Sequence, residues 1–447
     1  MEAREERAFL KKQMALKGLP CVSLSLNVPG FPKSNSTVKT FFDFCLSDLK
    51  YFLKAHLNDI HYSDAIERCD TAGDFYIAPC SVGINTLAEL KQICEAFETT
   101  HPFGRFIDVD LNDELGNTVS SGKSKVCFFC HERPAIECRR EKAHDHEQLR
   151  MYMFSEMARY CSQQRKTIII KQLTSLGLKA LLSEISLTPK PGLVDKFSNG
   201  SHGDMNYQTF IDSSAAISPW MGELVEAGFS FKDTDLSKAL PIIRNIGLRM
   251  ESAMHQATHN VNTQKGIIFL LGLSMFACGR LFSESDQFDI EYFRSIIKEI
   301  CKDMVKNEMI NSFQARKSHG EEIFLNYGFT GARGEAESGF QIVFEHGLPP
   351  LKGFSKLNDD LLYKSFLSIA SVNSDTNILY RGGPDVLSNF QGLCKTALEN
   401  YNDHTYSEVI DYCQKENISP GGSADLLALT IFVWSVMNEP FLPIYSK

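Results

Sequence analysis

LTPKPGLVDKFSNGSHGDM, residues 187–205, lies between two segments whose apolar residues recur at helical spacing. Its two prolines fix the backbone angle φ and its three glycines permit positive φ, so the stretch follows a defined irregular path and is not a flexible linker. The stretch also carries lysines, aspartates and a histidine. Charged groups on irregular backbone between helices are typical of a functional site, and we predict one here.

The periodicity of the chain changes once. From His144 onward nearly every segment has helical spacing and is followed by a glycine-rich loop, which predicts an all-α region. Before that point, strand-like runs alternate with helical segments such as 86–100, which predicts an α+β region. The strand candidates are CVSLSLNV (21–28), FYIAPC (75–80) and GRFIDVDL (104–111).

These patterns predict a multi-domain protein in which an α+β N-terminal domain is followed by an all-α C-terminal domain. The boundary is placed near Gln164, inside a charged helical segment. The expected domains are therefore residues 1–164 and 165–447. At 447 residues the chain exceeds what a single core usually supports, which agrees with at least two domains.

Composition excludes several classes of protein. The net charge of −9 argues against binding nucleic acid. The apolar runs 267–279 and 426–437 are shorter than the roughly 20 residues of a membrane span, so we expect buried core helices and no membrane partner. The N-terminal sequence has no export-signal pattern, and thirteen cysteines in such a chain predict reduced thiols in the cytoplasm.

Four polar clusters punctuate the helical half. The first is the opening stretch, and the others are ATHNVNTQKG (257–266), TGARGEAESGF (330–340), and DTNILYRGG (375–383) taken with ISPGGSADLL (418–427). Each alone is ordinary helix-capping and turn material. The glycine pair before the apolar helix of the last cluster is also suited to hold an anion on backbone N–H groups at a helix N-terminus.

The order and wording of these clusters resemble the triphosphoribosyl-dephospho-CoA synthase family over about residues 170–440. The family patterns are PKPGLVD, NTHKG, GARGEAESGF, DTN with RGG, and SPGGSADLLA. The resemblance implies an enzyme in which the 2′-hydroxyl of 3′-dephospho-CoA displaces adenine from C1′ of ATP. Such a reaction develops oxocarbenium character at C1′, which a nearby carboxylate stabilises, and Mg²⁺ accompanies the ATP.

The resemblance also implies which side chains form the site. Carboxylates carried over as catalytic are Asp204, Glu335 and Asp425. Carboxylates able to hold the metal are Asp195, Asp204, Asp375 and Asp425, and cations able to neutralise phosphate are Lys190, Lys265, Arg333 and Arg381. Further substrate-binding candidates are His202, Asn262, Thr263, Glu337, Asn377, Gly421, Gly422 and Ser423.

Other interpretations of these residues stay open. Asp425 and Glu335 alternatively occupy first helical turns, where a carboxylate is favourable against the helix dipole. Glu335 and Glu337 are two residues apart and diverge on a helix, so only one faces a site, and Glu335 is favoured. His202 is either a base or an ordinary surface histidine.

The sequence departs from the family pattern at three places. Gln264 stands where the family has histidine, the pair His259–Asn260 replaces a glycine-type pair, and Tyr380 precedes RGG in place of histidine. Because a glutamine side chain does not exchange protons near neutral pH, proton transfer is not assigned to Gln264.

Cysteine and histidine concentrate at 127–144. Cys127, Cys130, Cys138 and His144 follow the spacing C-x2-C-x7-C-x5-H, which supplies the ligands of a closed Cys3His structural zinc site. The alternative is reduced structural cysteines without metal.

Upstream, Asp108 and Asp110 occupy one face of a predicted strand, where a carboxylate pair is suited to hold Mg²⁺ against a nucleotide triphosphate. Solvated acids on an exposed strand face are the alternative. The turn SLNVPGFPK offers Asn27, Gly30 and Lys33 as a phosphate-contacting element.

These features resemble apo-citrate lyase phosphoribosyl-dephospho-CoA transferase, the holo-acyl-carrier-protein synthase of citrate lyase, over about residues 1–150. The matching patterns are REER (4–7), N-x-P-G-x-x-K, GR-x-x-D-x-D, which includes Arg105, and the Cys3His spacing. The resemblance implies transfer of the prosthetic group to a serine of the apo-acyl carrier protein, the gamma subunit of citrate lyase, with release of pyrophosphate.

Both resemblances together predict a bifunctional transferase, a nucleotidyltransferase in its N-terminal half, that builds and attaches the citrate lyase prosthetic group. One alternative is the same synthase chemistry serving malonate decarboxylase. Another is an N-terminal half that only docks the carrier protein through a zinc-stabilised module, although such a module has no need of two carboxylates on one face. ADP-ribose hydrolysis by a helical metal enzyme is the third.

Overall fold

A computed structural model describes residues 2–15, 18–57, 60–81, 86–120, 122, 125–310 and 319–439. The chain divides into two compact units, which comprise Met1–Arg165 and Lys166–Leu442 and are called unit 1 and unit 2. The division falls within one 41-residue helix, His146–Ser186.

Unit 1 is built on an antiparallel sheet, which has five strands in the order β2-β3-β1-β4-β5 among the described residues. The strands are β1 (Cys21–Leu26), β2 (Ile66–Asp70), β3 (Gly73–Pro79), β4 (Ile107–Asn112) and β5 (Thr118–Val119). The helices of this unit are α1 (Glu2–Ala15), α2 (Ser36–His56), α3 (Leu87–Thr100), α4 (Ala135–Arg140) and the first part of α5 (His146–Ser186).

The strand predictions at 21–28, 75–80 and 104–111 are confirmed, except that Gly104–Phe106 forms a 3₁₀ turn ahead of β4. The predicted helix at 86–100 is α3, whose N-terminus is closed by a capping box on Thr86. The polar edge strand β2 was not predicted, because its sequence IERCD lacks an apolar alternation.

Helices cover both faces of the sheet in unit 1. Met14 of α1 packs with Cys21 and Phe75, so α1 lies on the face to which these side chains point. On the opposite face the Lys50 ammonium of α2 lies 5.0 Å from the centre of the Tyr76 ring. Because side chains alternate along a strand, the sheet is a covered layer with one helix-lined surface on each side.

Among its described residues unit 2 consists of helices joined by loops and contains no strand, which confirms the predicted all-α architecture. After α5 the helices are α6 (Tyr207–Ser230), α7 (Ala239–Ala257), α8 (Lys265–Phe282), α9 (Ile290–Ile300), α10 (His319–Tyr327), α11 (Gly331–Glu337), α12 (Asp359–Ala370), α13 (Thr376–Glu399), α14 (Asp403–Lys415) and α15 (Gly421–Asn438). Helix α13 changes direction at Gly383, where φ is 77°, just before Pro384.

The centre of unit 2 is formed by α8 and α15, the two most apolar helices of the unit. Their length and composition would suit membrane spans, but 78% and 72% of their residues are buried by the rest of the fold. The prediction of buried core helices is therefore confirmed. Gly228 of α6 sits where a Cβ would overlap the carbonyl oxygen of Phe276, so glycine permits the close crossing of α6 and α8.

Candidate functional sites

The 187–205 loop has the defined path that its prolines and glycines predict. Asp195 is buried, and its Oδ2 accepts a hydrogen bond from Lys190 N at 3.0 Å. Its Oδ1 accepts from the backbone N–H groups of Phe197 and Ser198, both at 2.9 Å. Asp195, predicted as a metal ligand, therefore uses both oxygens to hold the loop together.

The same loop is fixed to the segment that precedes α15. Ser201 Oγ donates to Ile418 O at 2.8 Å, and His202 Nε2 lies 2.8 Å from Ser419 Oγ. The pKa of His202 is lowered by burial and by the nearby Arg381 guanidinium. His202 is thus a half-buried, hydrogen-bonded histidine that favours its neutral form.

Asp204 and Arg381 flank this junction. The Asp204 carboxylate is mostly exposed and lies 3.9 Å from His202 Nδ1. Arg381 Nη1 donates to Ser201 O at 2.9 Å, so this predicted phosphate ligand also holds the loop in place. The first and fourth polar clusters of the sequence are therefore in direct contact.

The side chain of Asp375, the residue before α13, lies against the N-terminus of α15. Asp375 Oδ2 accepts from both Ser423 N, at 2.7 Å, and Ser423 Oγ, at 3.0 Å. Its Oδ1 accepts from Asn377 N at 3.0 Å, which caps α13. An internal carboxylate therefore accepts the N–H of Ser423, and anion binding by the other N–H groups of this helix start stays a prediction.

Gly421, next to this carboxylate, is a position at which a larger side chain has a predictable effect. A Cβ at Gly421 would lie 2.6 Å from Asn377 Nδ2. We expect Gly421→Val to displace Asn377 and raise the apparent KM for ATP in adenine release by about 10-fold. Gly392→Val is the matched control, since a Cβ there meets nothing within 4 Å. Equal KM values in the two variants would show that this turn does not take part in ATP binding.

Asp425 belongs to the second turn of α15 and faces the start of α8. A Cβ at Gly266 would fall on the Asp425 carboxylate, which accepts a hydrogen bond from Ile267 N. Burial, followed by repulsion from Glu184 and Asp375, raises the pKa of Asp425 well above its usual range. The second cluster of the sequence therefore meets the fourth at this carboxylate.

Glu184 is a member of the site that the sequence analysis missed. It lies in the last turn of α5, and its Oε1 lies 2.5 Å from Lys190 Nζ in an ion pair whose side chains are 9% and 2% exposed. We call Glu184, Asp375 and Asp425, with Lys190, the acidic cluster. Burial and repulsion among these carboxylates disfavour the ionised form of Asp425, and a bound cation would stabilise that form.

The third polar cluster lies against the fourth at Gly331, where a Cβ would lie 3.0 Å from Thr376 Cγ2. Glu335 is buried, and its Oε1 accepts from Ile342 N at 2.8 Å and Val343 N at 3.3 Å. Glu337 accepts instead from Val305 N at 3.1 Å, so the two glutamates diverge as predicted.

The alternative interpretation of Asp425 and Glu335 as first-turn residues is wrong. Neither α11 nor α15 has an acidic residue in its first turn. Arg333, predicted to bind phosphate, has its Nε 2.9 Å from Glu308. A guanidinium held by a carboxylate is available to phosphate only when that pair opens.

Burial raises the pKa of Glu335 to about 7 from an ordinary 4.5. The folded chain therefore holds a proton between these pH values that the unfolded chain has lost, and its free energy of unfolding falls as the pH rises from 4.5 to 7. We expect Glu335→Gln to lack this change, which amounts to at most about 3 kcal/mol in the free energy of unfolding. Thermal unfolding at pH 5 and pH 8, with exposed Glu399→Gln as control, measures it; an unchanged pH dependence would contradict the assignment.

Gln264 connects α8 to α6 through hydrogen bonds. It is buried, its Oε1 lies 2.5 Å from Ser213 Oγ, and its Nε2 donates to Ser214 Oγ at 3.2 Å. Nearby, Asn262 Oδ1 accepts from Lys265 N at 3.2 Å. The departure from histidine at position 264 is thus accommodated by two serine hydroxyls.

Two other predicted ligands near the start of α8 are engaged by neighbouring side chains. Thr263 Oγ1 donates to Ser213 Oγ at 2.9 Å. Lys265 Nζ lies 3.0 Å from Glu251 in an ion pair on the surface of unit 2. Such an exposed ion pair is weak, so the Lys265 ammonium can exchange its partner for a phosphate.

Unit 1 carries the second site. Asp108 and Asp110 pair in register with Ser25 and Ser23 of β1, which places both carboxylates on the face covered by α1. We call Asp108 and Asp110 the strand acid pair. The prediction that they share a face is confirmed.

Each carboxylate of the strand acid pair is half-buried beside a lysine. Asp108 lies 3.1 Å from Lys125 Nζ, and Asp110 lies 3.5 Å from Lys11 Nζ. Both carboxylates therefore have a lysine partner, although their side chains remain 37% and 33% exposed.

Three cationic side chains lie near the turn formed by residues 27–33: Lys33 of the turn, Arg4 of α1 and Arg150 of α5. Asn27 N donates to Phe106 O at 2.9 Å, which ties the turn to the residue before β4. Arg150 donates to Pro29 O at 2.6 Å, and the pKa of Lys33 is lowered by burial and by repulsion from Arg4 and Arg150. We call Lys33, Arg4 and Arg150 the basic turn; cations this close together suit a polyphosphate.

Two other predicted residues support this region. Gly30 has a φ of 67°, and a Cβ there would meet His146 Cε1 at 2.6 Å, so only glycine fits this turn. Arg105 Nε donates to Val126 O at 2.9 Å, which anchors the segment leading into β4.

The four candidate ligands of the Cys3His site converge. The ligand atoms of Cys127, Cys130, Cys138 and His144 all lie within 4.8 Å of one another. His144 Nε2 is buried without a hydrogen-bond partner among the described residues, and a metal ion would satisfy it. Backbone N–H groups of Glu132 and then Arg133 lower the pKa of Cys130 to about 6. The donor set fits a metal ion.

Comparisons with known proteins follow the same division. The family model described as "ATP:dephospho-CoA triphosphoribosyl transferase" matches residues 170–440, and that described as "Apo-citrate lyase phosphoribosyl-dephospho-CoA transferase" matches residues 1–160. The probable 2-(5''-triphosphoribosyl)-3'-dephosphocoenzyme-A synthase of Photobacterium profundum is 38% identical over 282 residues, which are 61% of this chain and 89% of the relative.

Two relatives match almost the whole chain. The protein CitXG of Leuconostoc mesenteroides subsp. cremoris is 31% identical over 97% of this chain and 95% of its own length. The protein CitXG of Haemophilus influenzae is 30% identical over the same shares of 97% and 95%. The helical unit with its acidic cluster and the mixed unit with its strand acid pair define a two-domain transferase. The chain belongs to the CitXG family, which joins both transferase domains in one polypeptide.

Proposed function

We propose that this chain makes the prosthetic group of citrate lyase in unit 2 and attaches it to the acyl carrier protein in unit 1. The two family matches support the pairing of these activities, and the citrate lyase transferase match favours that carrier over the carrier of malonate decarboxylase. The observation that carries the proposal for unit 2 is the acidic cluster, in which Glu184 and Asp375 lie close enough to Asp425 to raise its pKa and the Lys190 ammonium pairs with Glu184.

In unit 2 the 2′-hydroxyl oxygen of 3′-dephospho-CoA bonds to C1′ of ATP, and the bond from C1′ to adenine breaks. Adenine leaves with the bonding electron pair and takes up a proton, and the triphosphate stays on the product. Neutral His202 is the base that we assign to the hydroxyl proton, with Asp204 beside its Nδ1 to stabilise the resulting imidazolium. Asp425 stabilises positive charge at C1′.

Mg²⁺ would neutralise the triphosphate in unit 2, and Asp425 and Glu184 are the residues we assign to hold it. Asp375 contributes mainly through its charge, since hydrogen bonds from Ser423 and Asn377 already engage its oxygens. Lys190 is positioned by Glu184 and can shift its ammonium to a phosphate oxygen.

In unit 1 a serine hydroxyl of the gamma acyl carrier subunit attacks the phosphorus nearest the ribose. The bond to the outer two phosphates breaks, pyrophosphate leaves with the electron pair, and the serine proton passes to the leaving pyrophosphate or to water. The strand acid pair would hold Mg²⁺ against the triphosphate. The basic turn receives the pyrophosphate, since its three cations repel one another when no anion is bound.

One assay tests both activities. The full-length protein is incubated with ATP, 3′-dephospho-CoA and Mg²⁺, and free adenine is measured; apo-acyl carrier protein is then added and its mass is followed. We expect adenine release without the carrier and a mass increase with it. Carriers from citrate lyase and malonate decarboxylase are compared in parallel, and a preference for the latter would overturn the carrier assignment.

We assign a structural zinc ion to the Cys3His site, and metal analysis tests this. Protein purified without chelator should contain about one zinc ion per chain, and Cys130→Ser should lose it and destabilise unit 1. Adenine release should stay unchanged, because that reaction belongs to unit 2. Cys69→Ser, which changes an exposed cysteine of the same unit, is the control. Metal-free wild-type protein would refute the zinc assignment.

A further inference from the structure

Unit 1 contains a cavity of about 400 Å³. Aromatic and charged side chains from three parts of the unit form its walls, and we call it the aromatic cavity. They include Arg105 and Phe106 before β4, Phe128 and His131 from the Cys3His loop, and Tyr152, Arg159 and Gln164 from α5. The volume is in the range of sites for small organic ligands.

The rings of the cavity present flat surfaces. The Phe128 and Tyr152 rings are parallel within 10°, with their centres 6.5 Å apart. Phe106 is buried and meets Phe128 edge-on at 5.3 Å, which fixes the inner wall. Tyr152 is 37% exposed, so one face of this aromatic set is open to a ligand. A planar ring is the group that stacks best on such surfaces.

Cationic and amide groups accompany the rings. Arg105 uses Nε and Nη2 to bond Val126 O, which holds its guanidinium at the cavity. Arg159 is exposed on α5 and is paired with Glu156 at 2.7 Å. Exposed ion pairs of this kind are weak, so Arg159 can exchange its partner for a phosphate. The Gln164 amide can both donate to and accept from the edge of a base.

The position of the cavity along the chain connects it to the strand acid pair. Phe106 lines the cavity, and Asp108 follows it by two residues. Arg105, which also lines the cavity, donates to Val126 O, and the neighbouring Lys125 lies 3.1 Å from Asp108. In the precursor, two linked ribose rings separate the adenine from the reacting triphosphate, so a single molecule is large enough to reach both places.

We propose that the aromatic cavity binds the adenine end of the dephospho-CoA part of the precursor while the strand acid pair engages its triphosphate. The proposal rests on the transferase function proposed for unit 1. It accounts for the parallel rings, which stack on the base, and for Arg159, which meets the phosphates that link adenosine to the pantetheine arm.

The Cys3His loop forms one wall of this cavity. Phe128 lies between Cys127 and Cys130, and His131 directly follows Cys130. The metal ion assigned to that site would therefore hold Phe128 at its place opposite Tyr152. A chelated protein should bind the precursor more weakly even when its chain remains folded.

Kinetics of the full-length protein test the cavity. Finished precursor and apo-acyl carrier protein are supplied to Tyr152→Leu and Arg159→Gln. We expect the KM for the precursor to rise about 10-fold or more in Tyr152→Leu and about 5-fold in Arg159→Gln, with kcat within about 3-fold of wild type. The matched controls are Tyr51→Leu and Arg140→Gln, which change exposed residues outside the cavity. KM values equal to the controls would overturn the proposal.

Photo-crosslinking locates the base directly and does not need turnover. An 8-azido-adenine analogue of 3′-dephospho-CoA is irradiated with the wild-type protein, and the peptides are mapped by mass spectrometry. Adducts in unit 1 should fall on the peptides that contain Phe128 or Tyr152 and should decrease in Tyr152→Leu. Adducts elsewhere in unit 1, or none there, would reject the cavity. Adducts at the cavity in a protein that never labels the carrier would reject the transferase function and keep the binding site.

Discussion

Replacement of Asp425 by asparagine should slow adenine release at least 100-fold, which corresponds to about 2.7 kcal/mol of transition-state stabilisation. Asp425 lies with Glu184 and Asp375 in the acidic cluster, and asparagine removes the charge while it keeps the shape. The neutral side chain loses both its attraction for a divalent cation and its stabilisation of positive charge at C1′. Adenine measured by chromatography under saturating ATP reports the effect.

The Asp425 variant also separates the two activities. When finished precursor is supplied, Asp425→Asn should label the carrier at the wild-type rate, because that reaction belongs to unit 1. Asp411→Asn, which changes an exposed carboxylate on α14, is the matched control and should release adenine normally. Adenine release by Asp425→Asn within about 3-fold of this control would remove Asp425 from the reaction.

The second large effect is expected in unit 1, where Asp110→Asn should abolish carrier labelling and leave adenine release intact. Asp110 and Asp108 lie on one face of β4, and loss of one charge weakens the hold on the metal that accompanies the leaving pyrophosphate. We expect the rate of labelling to fall at least 100-fold, about 2.7 kcal/mol. The mass of the carrier protein measures it, with finished precursor supplied.

Finished precursor should not rescue the Asp110 variant, in contrast to the Asp425 variant. Glu114→Gln, which changes an exposed acid between β4 and β5, serves as control and should label normally. Because the Lys11 partner of Asp110 lies at 3.5 Å, loss of this pair should change stability little. Normal labelling by Asp110→Asn would contradict the transferase assignment of unit 1. It would favour the alternative that unit 1 only docks the carrier protein.

Local periodicity was sufficient for the secondary structure that positions the strand acid pair. The alternation in CVSLSLNV and GRFIDVDL predicts β1 and β4, and the two-residue spacing of Asp108 and Asp110 then places both on one face. The apolar runs of α8 and α15 predict core helices for the same reason, since burial on all sides requires apolar residues on all sides. The Cys3His spacing likewise predicted a ligand cluster, because its residues are close in the sequence.

These local patterns did not predict which residues far apart in the sequence come into contact. Glu184 sits in an ordinary helical segment, and only the fold brings it to the neighbourhood of Asp425. Asp375 resembled a ligand in the sequence, yet the structure uses it to hold the start of α15.

The sequence by itself determined the two kinds of architecture, the face shared by the strand acids and the motifs that mark both transferase domains, because periodicity and short spacings are local properties. Tertiary structure alone decided which carboxylates form the acidic cluster and which rings enclose the aromatic cavity. Phe106, Phe128 and Tyr152 come from three separate elements, and their meeting depends on how those elements pack. The environment of a charge depends in the same way on groups far along the chain, so the raised pKa values of Glu335 and Asp425 follow from burial that no local pattern encodes.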